Sequence, residues 1–507
     1  MILTIRILTV VVVLNAWVLL RPDAMPVVAT IHRVLAMRSA EQPVVLAFVA
    51  LGFLSATISA SAQALARHQQ LAKDIYQELL EINTVTATGD TLKAAEAMAA
   101  RLRAAGFPDA DVRVLSPAPR KGNLVARLHG TGARKPILLL AHIDVVEARR
   151  EDWSLDPFKL AEKDGYFYGR GSGDNKSMAA SLVANLIRYR QEDFRPDRDI
   201  IVALETDEEI GDANVLGIQW LLKNHRDLID AEYALNEGGG VGLKNGKPLR
   251  NAVQTSEKVS SSYQLEVKNA GGHSSLPSKD NAIYHLAQGL ARLSQYDFPV
   301  KLNETTRAFF ERSSAVEEGQ LASDMRAVTA QQPDQAAVAR LSAVPGYNAL
   351  LRTTCVTTLI EGGHAVNALP QVARASVNCR ILPGEAVMEV QKTLVHVLAD
   401  DQISVTPIGT PVLSSASPLN PQIMREVEKL TTEFWPGIPV IPTMLAGATD
   451  GSFLRNAGIP TYGHTGLAVD IYENRAHGRD ERILVKSFFD ANEYLYRLVK
   501  ALSTNSK

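Results

Sequence analysis

The chain has few cysteines and little net charge, and each shortage argues against a class of protein. Two cysteines in 507 residues are too few for a disulfide-rich scaffold or a cysteine-based zinc site. Lys and Arg total 53 and Asp and Glu total 55, a net charge of −2, and neither half of the chain carries a basic stripe. We therefore expect no nucleic-acid partner.

Long apolar runs stand out only near the N-terminus, at residues 2–20 and 43–60. The second run ends in Ala-Ser-Ala-Gln-Ala, a small-residue stretch typical of a signal peptidase site. We predict that residues 1–64 lie outside the fold, that translation starts at Met37, and that the protein is exported. The alternative is that these runs anchor the chain in a membrane.

From residue 65 onward, helix and strand patterns alternate. Continuous apolar runs at residues 135–143, 200–204 and 231–235 are typical of strands buried on both faces. The pattern predicts an α/β domain with a mostly parallel sheet, in which ligands bind at the carboxyl ends of the strands.

The pattern changes between residues 257 and 408. Polar and apolar residues alternate in the strand-like run 261–267, and helical segments follow, including a long one at residues 305–326. We therefore predict a catalytic domain split between residues 65–256 and 409–507, with an α+β domain inserted at 257–408.

Histidines and acidic residues cluster in five short stretches, most of them at the ends of predicted strands. These residues are His142, Asp144, Asp174, Glu208, Glu209, Glu237 and His477. Imidazoles and carboxylates are the ligands of catalytic zinc sites. The inventory therefore predicts a pair of divalent metal ions and a carboxylate general base.

Spacing supports individual members of this set. His142 and Asp144 project to one face of an extended segment, where the aspartate can orient the imidazole. Asp174 follows a glycine-rich turn and can bridge two ions, although an ordinary helix N-cap fits it too. Glu208 and Glu209 are adjacent and would repel each other, unless one binds metal and the other carries a proton.

These stretches resemble, in order and spacing, the dizinc aminoacylase and carboxypeptidase family, which includes aminoacylase-1, carboxypeptidase G and succinyl-diaminopimelate desuccinylase. The Asn-Ala-Leu-Pro motif at 367–370 and the His-Gly-Arg-Asp-Glu-Arg motif at 477–482 are most similar to carboxypeptidase S and secreted N-acyl amino acid hydrolases. The resemblance implies a split zinc-peptidase-like domain interrupted by a lid and dimerisation domain.

The resemblance also implies roles for the metal-type residues. His142, Asp174 and Glu237 would hold one Zn²⁺, and Asp174, Glu209 and His477 would hold the second, with Co²⁺ or Mn²⁺ as alternatives. Glu208 would be the general base, and Asp144 would orient His142.

Five further residues resemble the family's substrate site. His273, in Gly-Gly-His-Ser-Ser, resembles a lid histidine that stabilises an oxyanion, in dimeric members at the partner subunit's site. Asn367 and Arg380 resemble a substrate-binding pair, and an arginine fork suits a free carboxylate. Gly447 and Thr449 lie in a stretch that resembles the substrate loop. A homodimer through the inserted domain is therefore expected.

The predicted function is hydrolysis of the amide bond to a C-terminal amino acid, in a peptide or an N-acyl amino acid. One alternative is an N-fatty-acyl amino acid hydrolase. Another is a catalytically silent metal-binding or dimerising module, which loss of Glu208 or a ligand would favour, and none is missing. Cys355 and Cys379 could pair across a hairpin as a disulfide or remain two buried thiols.

Overall fold

A computed structural model describes residues 65–210 and 216–504. The predicted start at Met37 and the predicted signal or anchor at residues 1–64 lie outside these ranges. Within them, no helix combines the length and the apolar character needed to cross a bilayer.

Strands and helices are numbered in chain order along the described residues. The strands are β1 Val112–Ala118, β2 Lys121–Leu128, β3 Ile137–His142, β4 Ala161–Lys163, β5 Tyr166–Tyr168, β6 Ile200–Glu205, β7 Tyr233–Asn236, β8 Val241–Lys244, β9 Lys247–Glu257, β10 Val259–Lys268, β11 Gly272–His273, β12 Thr354–Gly362, β13 Ala368–Leu369, β14 Val372–Ile381, β15 Ser404–Ile408, β16 Val440–Leu445, β17 Thr461–Gly463, β18 Ala468–Asp470 and β19 Arg482–Leu484. The helices are α1 Arg67–Glu81, α2 Thr91–Ala104, α3 Lys176–Gln191, α4 Ile218–Asn224, α5 Arg226–Ile229, α6 Ala282–Ser294, α7 Glu304–Ser313, α8 Gly319–Val328, α9 Gln335–Ser342, α10 Pro345–Leu351, α11 Val387–Leu398, α12 Pro421–Phe434, α13 Gly451–Asn456 and α14 Val485–Leu502.

A large sheet forms the centre of the fold, in the order β1-β2-β6-β3-β7-β17-β9-β8-β18, with β16 also paired to β9. Strands β6, β3, β7 and β17 run parallel to one another, whereas β1, β2 and β6 pair antiparallel. The predicted α/β fold with a mostly parallel sheet is confirmed at its centre, and antiparallel strands extend it.

Helices cover both faces of this sheet, which is why polar and apolar residues do not alternate along its central strands. Ile137 and Leu139 of β3 pack into a core with α1, α3, α12 and α14. Leu138 and Leu140 point the other way and pack into a core with α4 and α13. Every residue of β3 and β6 is buried as a result.

A second, antiparallel sheet has the order β12-β14-β10-β15 and comes entirely from the inserted segment. Alternate residues of β10 and β14 form a core with α6 and α11, whereas the other face stays half-exposed. Helices α7 to α10 build a separate small core around Phe310, Met325 and Leu351, which extends to Ile441 of β16.

One element of the inserted segment differs from its prediction. The single helix expected at residues 305–326 is wrong, because the structure divides it into α7 and α8. The second helix begins at Gly319, whose φ of 62° lies in the left-handed region that a continuing helix cannot use.

The two cysteines form a disulfide. Cys355 and Cys379 lie directly opposite each other in the antiparallel pair β12–β14, and their sulfurs are bonded. Of the two possibilities that the sequence left open, the structure has the disulfide.

Candidate metal centre

Parallel strand ends bring the metal-type residues to one edge of the large sheet. Strand β3 ends at His142, β7 ends one residue before Glu237, and β6 ends shortly before a 3₁₀ turn at Glu208–Ile210. Because β6, β3 and β7 are neighbours and parallel, their carboxyl ends meet. This is the edge at which the sequence predicts the site.

The first group of contacts surrounds His142, which is almost fully buried. Its Nε2 lies 3.0 Å from Asp174 Oδ1 and 3.5 Å from Glu237 Oε2. Its Nδ1 lies 3.0 Å from the Asp144 carbonyl oxygen, so the backbone helps to set the ring orientation.

The second group surrounds His477, whose ring is about half exposed. His477 Nε2 lies 3.2 Å from Asp174 Oδ2 and 3.0 Å from Glu209 Oε2. Asp174 therefore faces His142 with one carboxylate oxygen and His477 with the other. His477 follows the inserted segment, so the centre draws on both halves of the split domain.

The donor set fits divalent cations. One ligand atom from each of His142, Asp174 and Glu209 lies within 4.8 Å of the others, and the same holds for His142, Glu208 and Glu237. Imidazole nitrogens and carboxylate oxygens are ligands that Zn²⁺, Co²⁺ and Mn²⁺ share. Glu208 lies within this reach as well, so proximity alone does not separate a base from a ligand.

The charges of these groups are strongly coupled. Burial opposes protonation of His142, but Glu237, Asp144 and Asp174 outweigh it and raise the pKa of this imidazole well above its usual value. Hydrogen bonds to Asp174 and Glu209 raise the pKa of His477 to about 10. Carboxylates that favour a proton on an imidazole also favour a cation in its place.

Two glutamates of the site are held towards their neutral form. Burial raises the pKa of Glu208 well above its usual value, and repulsion from Glu237 adds to the rise. Burial also raises the pKa of Glu237 to about 7, while the nearby His142 opposes the shift. A bound dication would relieve both effects, because it supplies the positive charge that this cluster lacks.

The Asp144 carboxylate has a wider role than orientation of one ring. Its Oδ1 lies 3.7 Å from His142 Nδ1 and accepts the backbone N–H of Glu208 at 3.3 Å. Its Oδ2 accepts the N–H of Glu209 at 3.1 Å and the Thr86 hydroxyl at 3.1 Å. Asp144 thus links the histidine strand to the glutamate turn.

Asp207 sets the direction of the same turn. Its φ of 71° is rare for a residue with a side chain, and its buried carboxylate holds this conformation through Lys121 Nζ at 2.5 Å. The turn directs the two glutamates that follow towards the histidines.

Glu481 is a positioning residue to which the sequence pattern assigns no role. Its Oε1 accepts the backbone N–H groups of Gly173 at 2.8 Å and Asp174 at 3.2 Å, and its Oε2 accepts Arg170 Nη1 at 2.8 Å. Arg170 Nη2 donates in turn to the His477 carbonyl at 3.3 Å. The sequence offered one signal for this role: Glu481 lies four residues after His477, in the same motif.

A cleft of about 580 Å³ opens beside the metal-type residues. Glu208, Glu209 and His477 line it from the large sheet, and Lys258 lines it at the start of the inserted segment. Its other walls include several apolar residues, among them Ile408, Pro411, Val412 and Phe453.

The predicted substrate loop contributes Ala448 and Thr449 to this cleft, whereas Gly447 is not among its lining residues. The Thr449 hydroxyl donates to Glu257 Oε2 at 2.8 Å. Glu257 Oε1 in turn pairs with Arg455 Nη2 at 2.9 Å, with both side chains buried. This ion pair, which no sequence pattern indicated, supports the loop from below.

The other predicted substrate residues lie in two separate places. His273 and Asn367 are exposed and adjacent, since Ser274 N donates to the Asn367 carbonyl at 3.0 Å beside the small β11–β13 ribbon. Arg380 lies near the C-terminal end of β14, opposite Ser260 of β10, and Ser260 lines the cleft. The structure therefore does not bring Asn367 and Arg380 together within one chain.

Comparison with known proteins shows several relatives of similar length. The chain is 29% identical over 384 residues to the N-fatty-acyl-amino acid synthase/hydrolase PM20D1 of Xenopus tropicalis, covering 73% of each chain. It is also 29% identical over 382 residues to the probable carboxypeptidase S-like 2 of Dictyostelium discoideum, covering 72% of this chain and 71% of the relative.

Solved structures share the fold at lower identity. The M20 family metallo-carboxypeptidase Sso-CP2 from Sulfolobus solfataricus aligns with a TM-score of 0.62 and 19% identity, over 85% of this chain and 98% of that one. The YXEP protein of Bacillus subtilis, described as a dinuclear metal binding peptidase, aligns with a TM-score of 0.56 and 12% identity, over 86% and 98%.

A family model covers most of the described chain. The model for peptidase family M20/M25/M40 matches residues 138–501, which include every metal-type residue described above. The chain therefore belongs to peptidase family M20/M25/M40, a family with dinuclear metal centres, and is a metal-dependent amide hydrolase.

Proposed function

We propose that this chain hydrolyses the amide bond between an acyl or peptidyl group and a C-terminal amino acid. The observation that supports this most directly is Asp174, whose two carboxylate oxygens face His142 and His477 beside an open cleft. Glu208 lines the same cleft and remains available for proton transfer.

We propose two Zn²⁺ ions as the cofactor. His142, Asp174 and Glu237 would hold one ion, and Asp174, Glu209 and His477 would hold the other. Such a pair lowers the pKa of a water molecule and polarises an amide carbonyl when it is bound.

The protein's own residues would then move the proton. Glu208 accepts it from the attacking water and delivers it to the departing nitrogen, so that the C–N bond breaks and a carboxylic acid and an amine leave. Asp144 keeps Glu208 in place through its bond to the Glu208 N–H. His273 donates a hydrogen bond to the oxyanion.

A free carboxylate on the substrate is the expected recognition feature. Arg380 pairs in register with Ser260, and Ser260 lines the cleft. A guanidinium at this place can form a two-pronged bond to a carboxylate. Thr449 would contact the substrate from the opposite wall, and the neighbouring Gly447 would allow a close approach.

A homodimer would complete the site. His273 and Asn367 are exposed on the inserted segment and are not among the residues that line the cleft of their own chain. Among the residues that the structure describes, strand β12 is an edge of the small sheet, and its Val356 and Ile360 are 60% and 66% exposed. An unpaired apolar edge is suited to pairing with a second copy, which would bring His273 of one chain to the site of the other.

A second candidate concerns the acyl group. The relative PM20D1 is described as an N-fatty-acyl-amino acid synthase/hydrolase, and apolar residues such as Ile408, Val412 and Phe453 line the present cleft. These observations favour a long acyl chain over a peptidyl group, although the same metal chemistry serves both.

The test compares three substrates with the same C-terminal amino acid: a blocked dipeptide, an N-acetyl amino acid and an N-long-chain-acyl amino acid. The purified protein is assayed with added zinc and, separately, with cobalt or manganese. Preference for the dipeptide would support a carboxypeptidase, and preference for an acyl amino acid an aminoacylase. Absence of turnover on all three would refute the proposal.

We also propose that the protein is exported after removal of residues 1–64. The disulfide between Cys355 and Cys379 supports this, because such bonds persist in oxidising compartments. N-terminal sequencing of the mature protein should begin near Gln63 or Leu65. Retention of residues 1–36 would contradict removal of a signal.

A further inference from the structure

A buried lysine, Lys258, lines the cleft and takes no part in the chemistry proposed above. It is the single residue between β9 of the large sheet and β10 of the small sheet. Its backbone N–H donates to the Leu445 carbonyl at 2.9 Å. Lys258 is therefore anchored where the two sheets join.

The partners of the Lys258 ammonium are neutral. Nζ donates to the Arg352 carbonyl at 2.7 Å and to Thr354 Oγ1 at 3.3 Å. An ammonium carries three N–H donors, so these two acceptors leave one donor over. Among residues 65–210 and 216–504, no carboxylate lies within 4.0 Å of Nζ to form an ion pair.

A buried ammonium without a counter-ion is costly, and two buried arginines of this fold avoid that cost through ion pairs. Arg455 pairs with Glu257, and Arg170 pairs with Glu481. At Lys258, burial lowers the pKa to about 7, and repulsion from Arg380 adds to this effect although Glu385 opposes it. The surroundings thus supply less negative charge than the ammonium requires.

We propose that the missing counter-ion is the carboxylate of the substrate, which Lys258 binds together with Arg380. Arg380 is in register with Ser260, two residues after Lys258, and with Thr354, whose hydroxyl accepts from Lys258 Nζ. Lys258 lines the cleft that Glu208 and His477 also line. A cation that lines the cleft and a second one on the neighbouring strand would together select an acyl amino acid or peptide with a free C-terminal carboxylate. Neutral amides of the same compounds would leave both cations without a partner.

This inference rests on the proposed function, because it assumes a substrate with a free carboxylate. The test therefore measures kcat/KM for an N-acyl amino acid and for its C-terminal carboxamide, in wild type, Lys258→Met, Lys258→Gln and Lys258→Arg. We expect the wild type to prefer the free acid. The Met and Gln variants should lose that preference at least about tenfold, as for one hydrogen bond to a charged group, and Arg should restore part of it.

The outcomes separate the two proposals. Equal rates on acid and amide in the wild type would refute carboxylate recognition itself. A wild-type preference that survives in Lys258→Gln would refute only the role of Lys258. An equal loss on both substrates would also refute it, since that is the result for a lysine that merely ties β10 to the Arg352 carbonyl.

Two further variants control for the substitution itself and for Arg380. Lys392→Met makes the same change at an exposed lysine on α11 that pairs with Glu389 at 2.7 Å, and it should leave the acid preference unchanged. The double variant Lys258→Gln/Arg380→Ala should lose less of the acid preference than the product of the two single-variant losses, because both cations bind one carboxylate. If the two losses multiply, Lys258 and Arg380 do not bind the same carboxylate, and the proposal is refuted.

Discussion

At the metal centre, the two adjacent glutamates Glu208 and Glu209 have different contacts although they are close together. Glu208 and Glu209 are neighbours in sequence, and each lies within metal-binding distance of His142. Both line the cleft, but of the two only Glu209 contacts His477, at 3.0 Å, and Glu208 forms no ion pair with either histidine. This difference supports Glu209 as the ligand and Glu208 as the proton carrier.

Glu208→Ala should lower kcat by roughly 10²–10⁴-fold, the range for loss of a general acid–base group. Metal content, measured by elemental analysis after dialysis, should stay at the wild-type value because the base is not a ligand. Glu209→Ala is the matched control and should lose metal. Loss of stoichiometric metal in Glu208→Ala instead would mean that the two roles are exchanged.

Arg380→Ala should raise KM for substrates with a free carboxylate by about tenfold or more, because a charge-assisted bond is lost. The change in kcat should be smaller, since the proposed partner of Arg380 is the carboxylate and not the reacting bond. Steady-state kinetics on an N-acyl amino acid measures both values. An unchanged KM would remove Arg380 from the carboxylate site.

At the level of strands, helices and loops, distant parts of the chain are fastened to one another by buried ions. Glu481, next to β19, accepts N–H groups of the turn that ends at Asp174. Arg455 of α13 pairs with Glu257 at the end of β9, beneath Thr449. These pairs join strand ends that the sheet alone would leave independent.

Glu481→Gln should weaken metal binding by about 10–100-fold, as for other groups that orient metal ligands. The amide keeps one acceptor oxygen but loses the charge that holds Arg170 and the Gly173–Asp174 backbone. Competition with a chromophoric chelator measures the affinity. Glu473→Gln, at an exposed partner of Arg482, is the control; equal affinities in both variants would contradict the role of Glu481.

Arg455→Met should reduce the free energy of unfolding by about 3–5 kcal/mol, because it leaves the Glu257 carboxylate buried and unpaired. Urea denaturation followed by circular dichroism provides the measurement. Lys486→Met breaks an exposed pair with Asp490 and should cost less than about 1 kcal/mol. Similar costs for the two variants would show that burial adds nothing to the Glu257–Arg455 pair.

For the molecule as a whole, the metal-type residues and the predicted substrate residues lie on different parts of the fold. The large sheet holds the metal-type residues, while the inserted segment carries His273, Asn367 and Arg380. Arg380 lies near the C-terminal end of β14 and Asn367 lies before its start, which is why we propose that two chains contribute them to one substrate. The proposed homodimer through the small sheet would bring residues of two chains to one site.

Ile360→Asp should convert the dimer to a monomer, because it places a charge on the apolar edge of β12. Analytical ultracentrifugation measures the mass, and kcat should fall with it as His273 of the partner subunit is lost. Val395→Asp changes an equally apolar, exposed residue on α11 and should leave the mass unchanged. A wild-type protein that is monomeric at assay concentration would refute the dimer.

Local sequence patterns were sufficient for the fold class and for the inventory of the site. Short uninterrupted apolar runs are typical of strands covered on both faces, which predicts the sheet. Residues at the carboxyl ends of parallel neighbouring strands meet at one edge. His142, Glu208 and Glu237 were therefore predictable from local pattern. The break between α7 and α8 was not, because α7 ends at Ser313 inside an otherwise helical pattern and α8 begins only at Gly319, whose φ is left-handed.

The groups that support the site depended on the packed fold. Glu481, Lys258 and the Glu257–Arg455 pair act through contacts with residues up to about 300 positions away in sequence, and no local pattern records such contacts. Burial sets the energetic cost of an unpaired charge and the effect of breaking an ion pair, and it too is a property of the packed molecule. For this reason the chemistry could be predicted from residue types, whereas its positioning required the three-dimensional structure.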